Sequence, residues 1–313
     1  MSADGDRGER GRDSTDSDSP TLRGLLASVL AAVRSRPPAE LALVALPLPA
    51  LLVGVSLLPG VEAWRFSLAT EGVFESRWAL WTAFASSFVH ADAAHLADNV
   101  VNYWLLVAVA YPLSVVAGWR RRLLGSAAVY LAVVPLVSAW ATVVALGGVT
   151  DAPTAGFSDV NSALLGYLVA VWFAALAAES DQIRGEGSAG VDPRWSVVAV
   201  FASLALAYLA PSGAGYFPPL PTVGSLFAVG AAIAAVGLYA AVGRPRVAGL
   251  DLSPERELLY VTGASVAAAG VIGSLVLVPF GSNVFAHLAG YVVGFVVPFV
   301  GVVADAEADR GGR

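Results

Sequence analysis

Long apolar runs, broken by short polar or arginine-bearing stretches, dominate the chain from about residue 41 to residue 304. A hydrocarbon core about 30 Å thick requires roughly 20 apolar residues per helix. The pattern predicts eight spans, near 41–58, 92–117, 123–147, 156–178, 195–210, 222–242, 258–279 and 283–304. The fifth of these is short, and the sixth is rich in Gly and Ala. The connection 59–91 carries Trp64, Phe66, Phe74, Trp78, Trp81, Phe84 and Phe88. A loop that apolar is expected in the membrane interface, where Trp prefers to lie. Residues 21–36 put Leu22, Leu25, Leu26, Val29, Leu30 and Val33 on one helical face, flanked by Arg23, Arg34 and Arg36. That segment reads equally as an interfacial helix or as a helical lead-in to the first span.

Composition fits a lipid-solvated chain. Hydrophobic residues make up 57% and charged residues 13%, against about 25% charge in a typical soluble domain. The absence of cysteine excludes disulfides, zinc–thiolate sites and a cysteine nucleophile. Nothing in the chain calls for a metal, another cofactor or a nucleic-acid partner. Residues 1–20 are Asp/Ser/Gly/Arg low complexity and are expected to be disordered. A signal peptide is not expected, because the first long apolar run begins near Leu41. The chain thus divides into an acidic tail (1–20), an amphipathic lead-in (21–38), a membrane domain (39–304) and a cytoplasmic tail (305–313).

All 18 basic residues are arginine, and they sort by side. Eight spans put both termini on one side, together with sixteen arginines; only Arg65 and Arg77 fall on the other. The positive-inside rule then places both termini in the cytoplasm.

Strongly polar residues within spans are costly and usually functional. At about 100° per residue, His95, Asn99 and Asn102 form one stripe, expected to face the bundle interior. His90 lies about 140° away from His95 and is expected to precede the helix, with Asp92 as N-cap. The fourth span opens Gly156-Phe-Ser158-Asp159-Val-Asn161-Ser162, with Ser158, Ser162 and Gly166 on one edge. The last span places His287, Gly290 and Gly294 on one face, and glycines four apart let helix backbones approach closely. The spans opening at Asp92, Gly156 and Asn283 all run inward in the eight-span topology. His95, Asn99, Ser158 and His287 are therefore expected at one depth near the outer face. Serine needs an adjacent base such as neutral imidazole. The oxyanion of acyl transfer needs fixed donors, which a histidine N–H, an asparagine amide or a backbone N–H at a helix start can supply.

At these residues the chain resembles the rhomboid family of intramembrane serine proteases. The family pattern His-x4-His-x3-Asn is matched by His90, His95 and Asn99. Its Gly-x-Ser-Gly motif is matched at Gly156 and Ser158, and its Ala-His-x2-Gly-x3-Gly pattern by Ala286, His287, Gly290 and Gly294. The resemblance covers roughly 40–304. It implies an all-α polytopic membrane protein with a rhomboid-like six-helix core, here with two additional spans. It further implies a dyad of Ser158 as nucleophile and His287 as general base, with His95 and Asn99 as oxyanion donors and His90 in support. Gly156, Gly166, Gly290 and Gly294 are expected to pack helices. The implied substrates are single-pass transmembrane proteins, cut near the outer face of the cell membrane.

The chain departs from the family in four places. Asp159 replaces the glycine after the serine, and Ser162 replaces the tyrosine four residues on. Trp81 is followed by Thr82 where the first loop's Trp-Arg is sought, and the pair near 195–242 is extra. Asp159 is expected to turn toward water or to bond backbone N–H groups, so that Asp159→Gly changes turnover within about tenfold. Taken singly, Ser158 reads as a helix cap and His287 as a packed histidine; only the constellation points to chemistry. A catalytically inactive relative that binds client transmembrane helices, and an unrelated transporter or channel, are the competing classes.

Overall fold

The computed structural model describes residues 37–184, 190–210, 220–246, 252–278 and 282–311. The tail 1–20 and all but the last two residues of the lead-in lie outside them. The described residues form helices and no strand. Seven helices are long and apolar enough to cross a membrane, which makes the chain a polytopic helical membrane protein.

The first crossing, Pro38–Ser56, is two helices, α1 (Pro38–Ala45) and α2 (Pro47–Ser56). The break falls where Pro47 lacks the N–H that would continue the ladder. The loop that follows contains the short helix α3 (Arg77–Ala85), capped by Ser76 Oγ accepting from Ala79 N at 3.0 Å. Phe74, Trp78 and Trp81 on this loop are exposed, as an interfacial loop requires. Phe66, Leu68, Val73 and Ala83 turn inward against Ala139.

Next come α4 (Ala93–Val116), α5 (Arg120–Leu146) and α6 (Ser158–Arg184). Asp92 caps α4, its Oδ1 accepting from His95 N at 2.8 Å. The sequence-predicted fifth span is realised as a shorter apolar helix, Pro193–Leu209, of which α7 (Ser196–Leu209) is the α-helical part. Then follow α8 (Pro221–Val242), α9 (Pro254–Val271), which ends in a π-helical turn Ile272–Val276, and α10 (Val284–Gly311).

The α6 helix is the axis of the bundle: 89% of its apolar window is buried, against none of the α8 window. Helices α4 and α10 run parallel to it. Asn99 and Ser114 of α4 meet Asn161 and Tyr167 of α6, in step along both helices. A Cβ added at Gly290 would meet Asp159 O at 2.1 Å, one at Gly294 would meet Ala163 O at 2.0 Å, and one at Gly166 would meet Tyr291 O at 2.2 Å. All three glycines thus lie where the α6 and α10 backbones touch, and no larger residue fits. The α5 helix packs antiparallel to α10: Asn283 donates to Thr142 Oγ1 at 2.7 Å, and Tyr130 donates to Gly294 O at 2.6 Å.

Helices α7 and α8 form an antiparallel hairpin in which α7 packs on the core through Val200, Leu204 and Ala207 and α8 lies outside it. Gly224 fits against Leu209, and Tyr208 stacks on Phe227. Arg246 N donates to Gly190 O, so the chain enters and leaves the hairpin at the same end.

Gly294→Val is expected to lower stability by about 1–3 kcal/mol, the usual range for overpacking, read as a fall in melting temperature in detergent micelles. Gly237→Ala, at a site with open space around it, is expected to be neutral or slightly stabilising.

Candidate active site

Three helix starts converge at one end of the bundle. Gly156, just ahead of α6, has φ +128°, a conformation that L side chains rarely adopt. Its N–H donates to Ser86 O at 3.0 Å. A Cβ here would sit 2.6 Å from His95 Cε1, so the His95 ring lies directly on this turn. Gly156 therefore shapes the serine turn under His95 and does not pack helices as expected. Phe157 is fully buried between Phe88 and Tyr103. Together these contacts set the approach to Ser158, the first residue of α6.

Ser158 Oγ lies 2.8 Å from His287 Nε2. The other ring nitrogen, Nδ1, lies 3.0 Å from Ser274 O. A carbonyl can only accept, so Nδ1 carries the proton and Nε2 is the free acceptor. Ser158 therefore donates its hydroxyl proton to a neutral imidazole, the arrangement an activated serine requires. The orienting carbonyl belongs to the π-helical turn at the end of α9. Asn283, ahead of α10, holds His287 in place from the other side: its Oδ1 accepts from Ala286 N at 3.2 Å, while its Nδ2 donates to Thr142 and Thr154.

The remaining sequence-predicted residues lie around this pair. His95 is half-buried and near enough to His287 for the two rings to interact electrostatically. Asn99 is buried, its Nδ2 donating to His95 O at 3.0 Å. His90 precedes α4 and stacks edge-on against His95, with ring centroids 5.2 Å apart. Its ring is largely buried beside the Phe88 backbone. Burial, with the His95 ring beside it, lowers its pKa to about 4. Asn102 departs from the expected inward stripe: it is exposed on the outer face of α4, as is Asp98. Among the described residues no cluster of His, Cys, Asp or Glu is arranged to hold a metal.

Asp159 does not turn to water; it bonds a backbone N–H, its Oδ1 accepting from Val160 N at 2.7 Å. It is 4% exposed, and its Oδ2 accepts from Ser87 Oγ at 2.7 Å and from Ser138 Oγ at 2.6 Å. It thereby joins the serine turn to the end of the first loop and to α5. Ser162 is buried as well and donates to Ser158 O at 2.8 Å.

Sequence reasoning gave no role to Ser87, Ser138, Ser274 or Asn161. Lone hydroxyls and a backbone carbonyl leave no signature in sequence. Asn161, a second amide one turn beyond the serine, was the one visible hint. A Trp-Arg pair was sought at Trp81, yet the loop contains one at Trp64-Arg65. There the Arg65 guanidinium donates to Ala91 O at 3.2 Å and to His90 O at 3.5 Å.

No family model, curated protein or solved structure matches this chain.

Two outcomes are expected from this geometry. Asp159→Gly strands the buried Ser87 hydroxyl and leaves Ser138 only the Pro135 carbonyl, and should cost about 1–3 kcal/mol, seen as a lower melting temperature, whereas Asp159→Asn, which keeps an acceptor, should recover most of it. His90 also imposes a pH dependence. Its unfolded form binds a proton near pH 6.5, and the folded form refuses one until about 4. The unfolded state therefore binds more protons in that window. Stability should be full above pH 6.5 and fall as the pH drops toward 4, and His90→Phe should flatten that slope in a melting series.

Proposed function

We propose that this protein is an intramembrane serine endopeptidase of the rhomboid type, cleaving transmembrane helices near the outer membrane face. The observation that carries the reading is the 2.8 Å contact from Ser158 Oγ to a His287 imidazole whose other nitrogen is fixed on Ser274 O. In this reaction Ser158 attacks the scissile carbonyl while His287 Nε2 takes its proton. The imidazolium then returns the proton to the leaving amine, and water, deprotonated by the same nitrogen, releases the acyl chain. The tetrahedral oxyanion falls to His95, to the Asn99 amide and to the Ser158 N–H, which has no intrahelical acceptor at a helix start. The dyad has no acid; the Ser274 carbonyl orients the base in its place.

The competing reading, a catalytically inactive protein that binds client helices, draws on the departures at Asp159 and Ser162. The Asp159 carboxylate is engaged by Ser87 and Ser138, which supports the protease reading by turning it away from Ser158. Substrates are single-pass membrane proteins that reach the site through the lipid bilayer. In this reading the protein lies in the cell membrane with both termini cytoplasmic, on the sixteen-to-two arginine partition. This orientation counts Pro193–Leu209 as an eighth crossing. The hairpin's return to its own starting end supports that count.

Cleavage of a reporter transmembrane helix in proteoliposomes is expected to vanish in Ser158→Ala and in His287→Ala, along with labelling by a fluorophosphonate. Undiminished cleavage by either variant would remove the assignment. His95→Ala and Asn99→Ala should each slow turnover about 10- to 1,000-fold without lowering the melting temperature to match. Cysteine-accessibility mapping should find residues 252–257 on the same side as the N-terminus; the opposite side would refute the topology.

A further inference from the structure

Two asparagines meet inside the bundle, one turn below the serine. Asn161 is 6% exposed and Asn99 is 1% exposed. Asn161 Nδ2 lies 2.9 Å from the Asn99 backbone carbonyl. A carbonyl only accepts, so this contact fixes which end of the Asn161 amide is the NH2 group. The same NH2 group lies 3.3 Å from Asn99 Oδ1. That second contact turns the Asn99 oxygen toward α6 and its nitrogen away from it. The Asn99 nitrogen meets His95 O at 3.0 Å, again an acceptor that demands N–H. Both ends of the Asn99 amide are therefore specified, and one of its two N–H protons remains uncommitted.

The geometry points to Asn161 as a positioning residue for the oxyanion site: it holds the Asn99 side chain in the flip that presents N–H, not C=O, to the developing charge. This inference rests on the protease reading and adds a residue to it. Without Asn161 the His95 carbonyl alone favours this flip, and the reversed one, which would turn a carbonyl oxygen toward an oxyanion, gains population. Electrostatic stabilisation works only when its donors are aimed before charge develops. The cost of losing Asn161 is thus a fraction of the cost of losing Asn99 itself, and it appears in the chemical step.

The test is a double-mutant cycle on the full chain in proteoliposomes, with kcat and KM measured separately on one reporter helix. Asn161→Leu, close in size and apolar, should lower kcat about 5- to 50-fold and by less than Asn99→Ala does in the same assay, with KM little changed. In an Asn99→Ala background it should cost nothing further, because its effect passes through Asn99. Asn161→Ala, which removes the amide without adding bulk, repeats the measurement should the leucine variant lose its cooperative melting. A kcat equal to that of the unaltered chain, or a loss that multiplies with Asn99→Ala, overturns the inference while leaving Ser158-dependent cleavage intact. An unaltered chain whose Ser158 neither cleaves nor takes up fluorophosphonate overturns the protease reading, and this inference with it.

Discussion

The structure depends on one contact: the backbone-to-backbone approach of α6 and α10. In lipid there is no hydrophobic gain from pressing two apolar helices together, so association rests on close packing and on hydrogen bonds between helices. Gly166, Gly290 and Gly294 supply the packing, each lying where a Cβ would strike main-chain atoms of the facing helix. The Tyr130 hydroxyl, donating to Gly294 O, ties α5 to the same seam. Helix separation here sets the Ser158–His287 distance directly, since both side chains project from the seam near its upper end. A displacement of about 1 Å would break a 2.8 Å hydrogen bond, and misplacement of that size is known to be costly in catalysis.

The first turn of α6 is unusually polar for the most buried helix in the bundle. Ser158, Asp159, Asn161 and Ser162 fall within five residues, and each finds a partner: His287, the Ser87 and Ser138 hydroxyls, Asn99, and the Ser158 carbonyl. Unpaired polar groups in a low-dielectric interior cost several kcal/mol, so these pairings stabilise the fold; of this set the Asn161 Oδ1 is buried without a partner. The set also divides the labour by direction. Successive helix residues diverge by about 100°, so Ser158 faces α10, Asp159 faces α5 and the loop, and Asn161 faces α4. One helical turn thereby fastens the three elements that carry the rest of the site.

Much of this was legible in the sequence, and what was not has a physical reason. Long apolar runs locate membrane helices to within a few residues because hydrocarbon thickness fixes their length; Ala93–Val116 and Val284–Ala304 nearly coincide with the segments read from hydropathy. The shortness of Pro193–Leu209 was legible in the same way, whereas the break at Pro47 depends on local backbone chemistry that a hydropathy window averages away. At the site, helical periodicity put Asn99 inward but misplaced Asn102, because a stripe read at 100° per residue says nothing about where the neighbouring helix ends. For Asp159, the backbone N–H bond expected from sequence is present at Val160 N, but its partners Ser87 and Ser138 are distant in sequence, and only packing brings them near. Gly156 was taken for a packing glycine, whereas its positive φ and the His95 ring above it are properties of a turn.

The α7–α8 hairpin leaves the direction of the helices that follow it unchanged. An inserted pair of antiparallel helices begins and ends at one face, and the contact between Arg246 N and Gly190 O closes it there. The helices after it keep the direction they would have had without it, so α10 still runs parallel to α6 and presents His287 beside Ser158. A single inserted helix would have inverted α10 and carried His287 to the opposite end of the bundle. The hairpin also makes few demands on the core. The apolar window of α8 is unburied by the rest of the chain, and its large side chains Leu226, Val229, Ile233 and Val236 point outward, where lipid solvates them at no cost. The constraint on such an insertion is therefore parity, not sequence, and its Gly- and Ala-rich composition is free to vary so long as the α6–α10 seam is left alone.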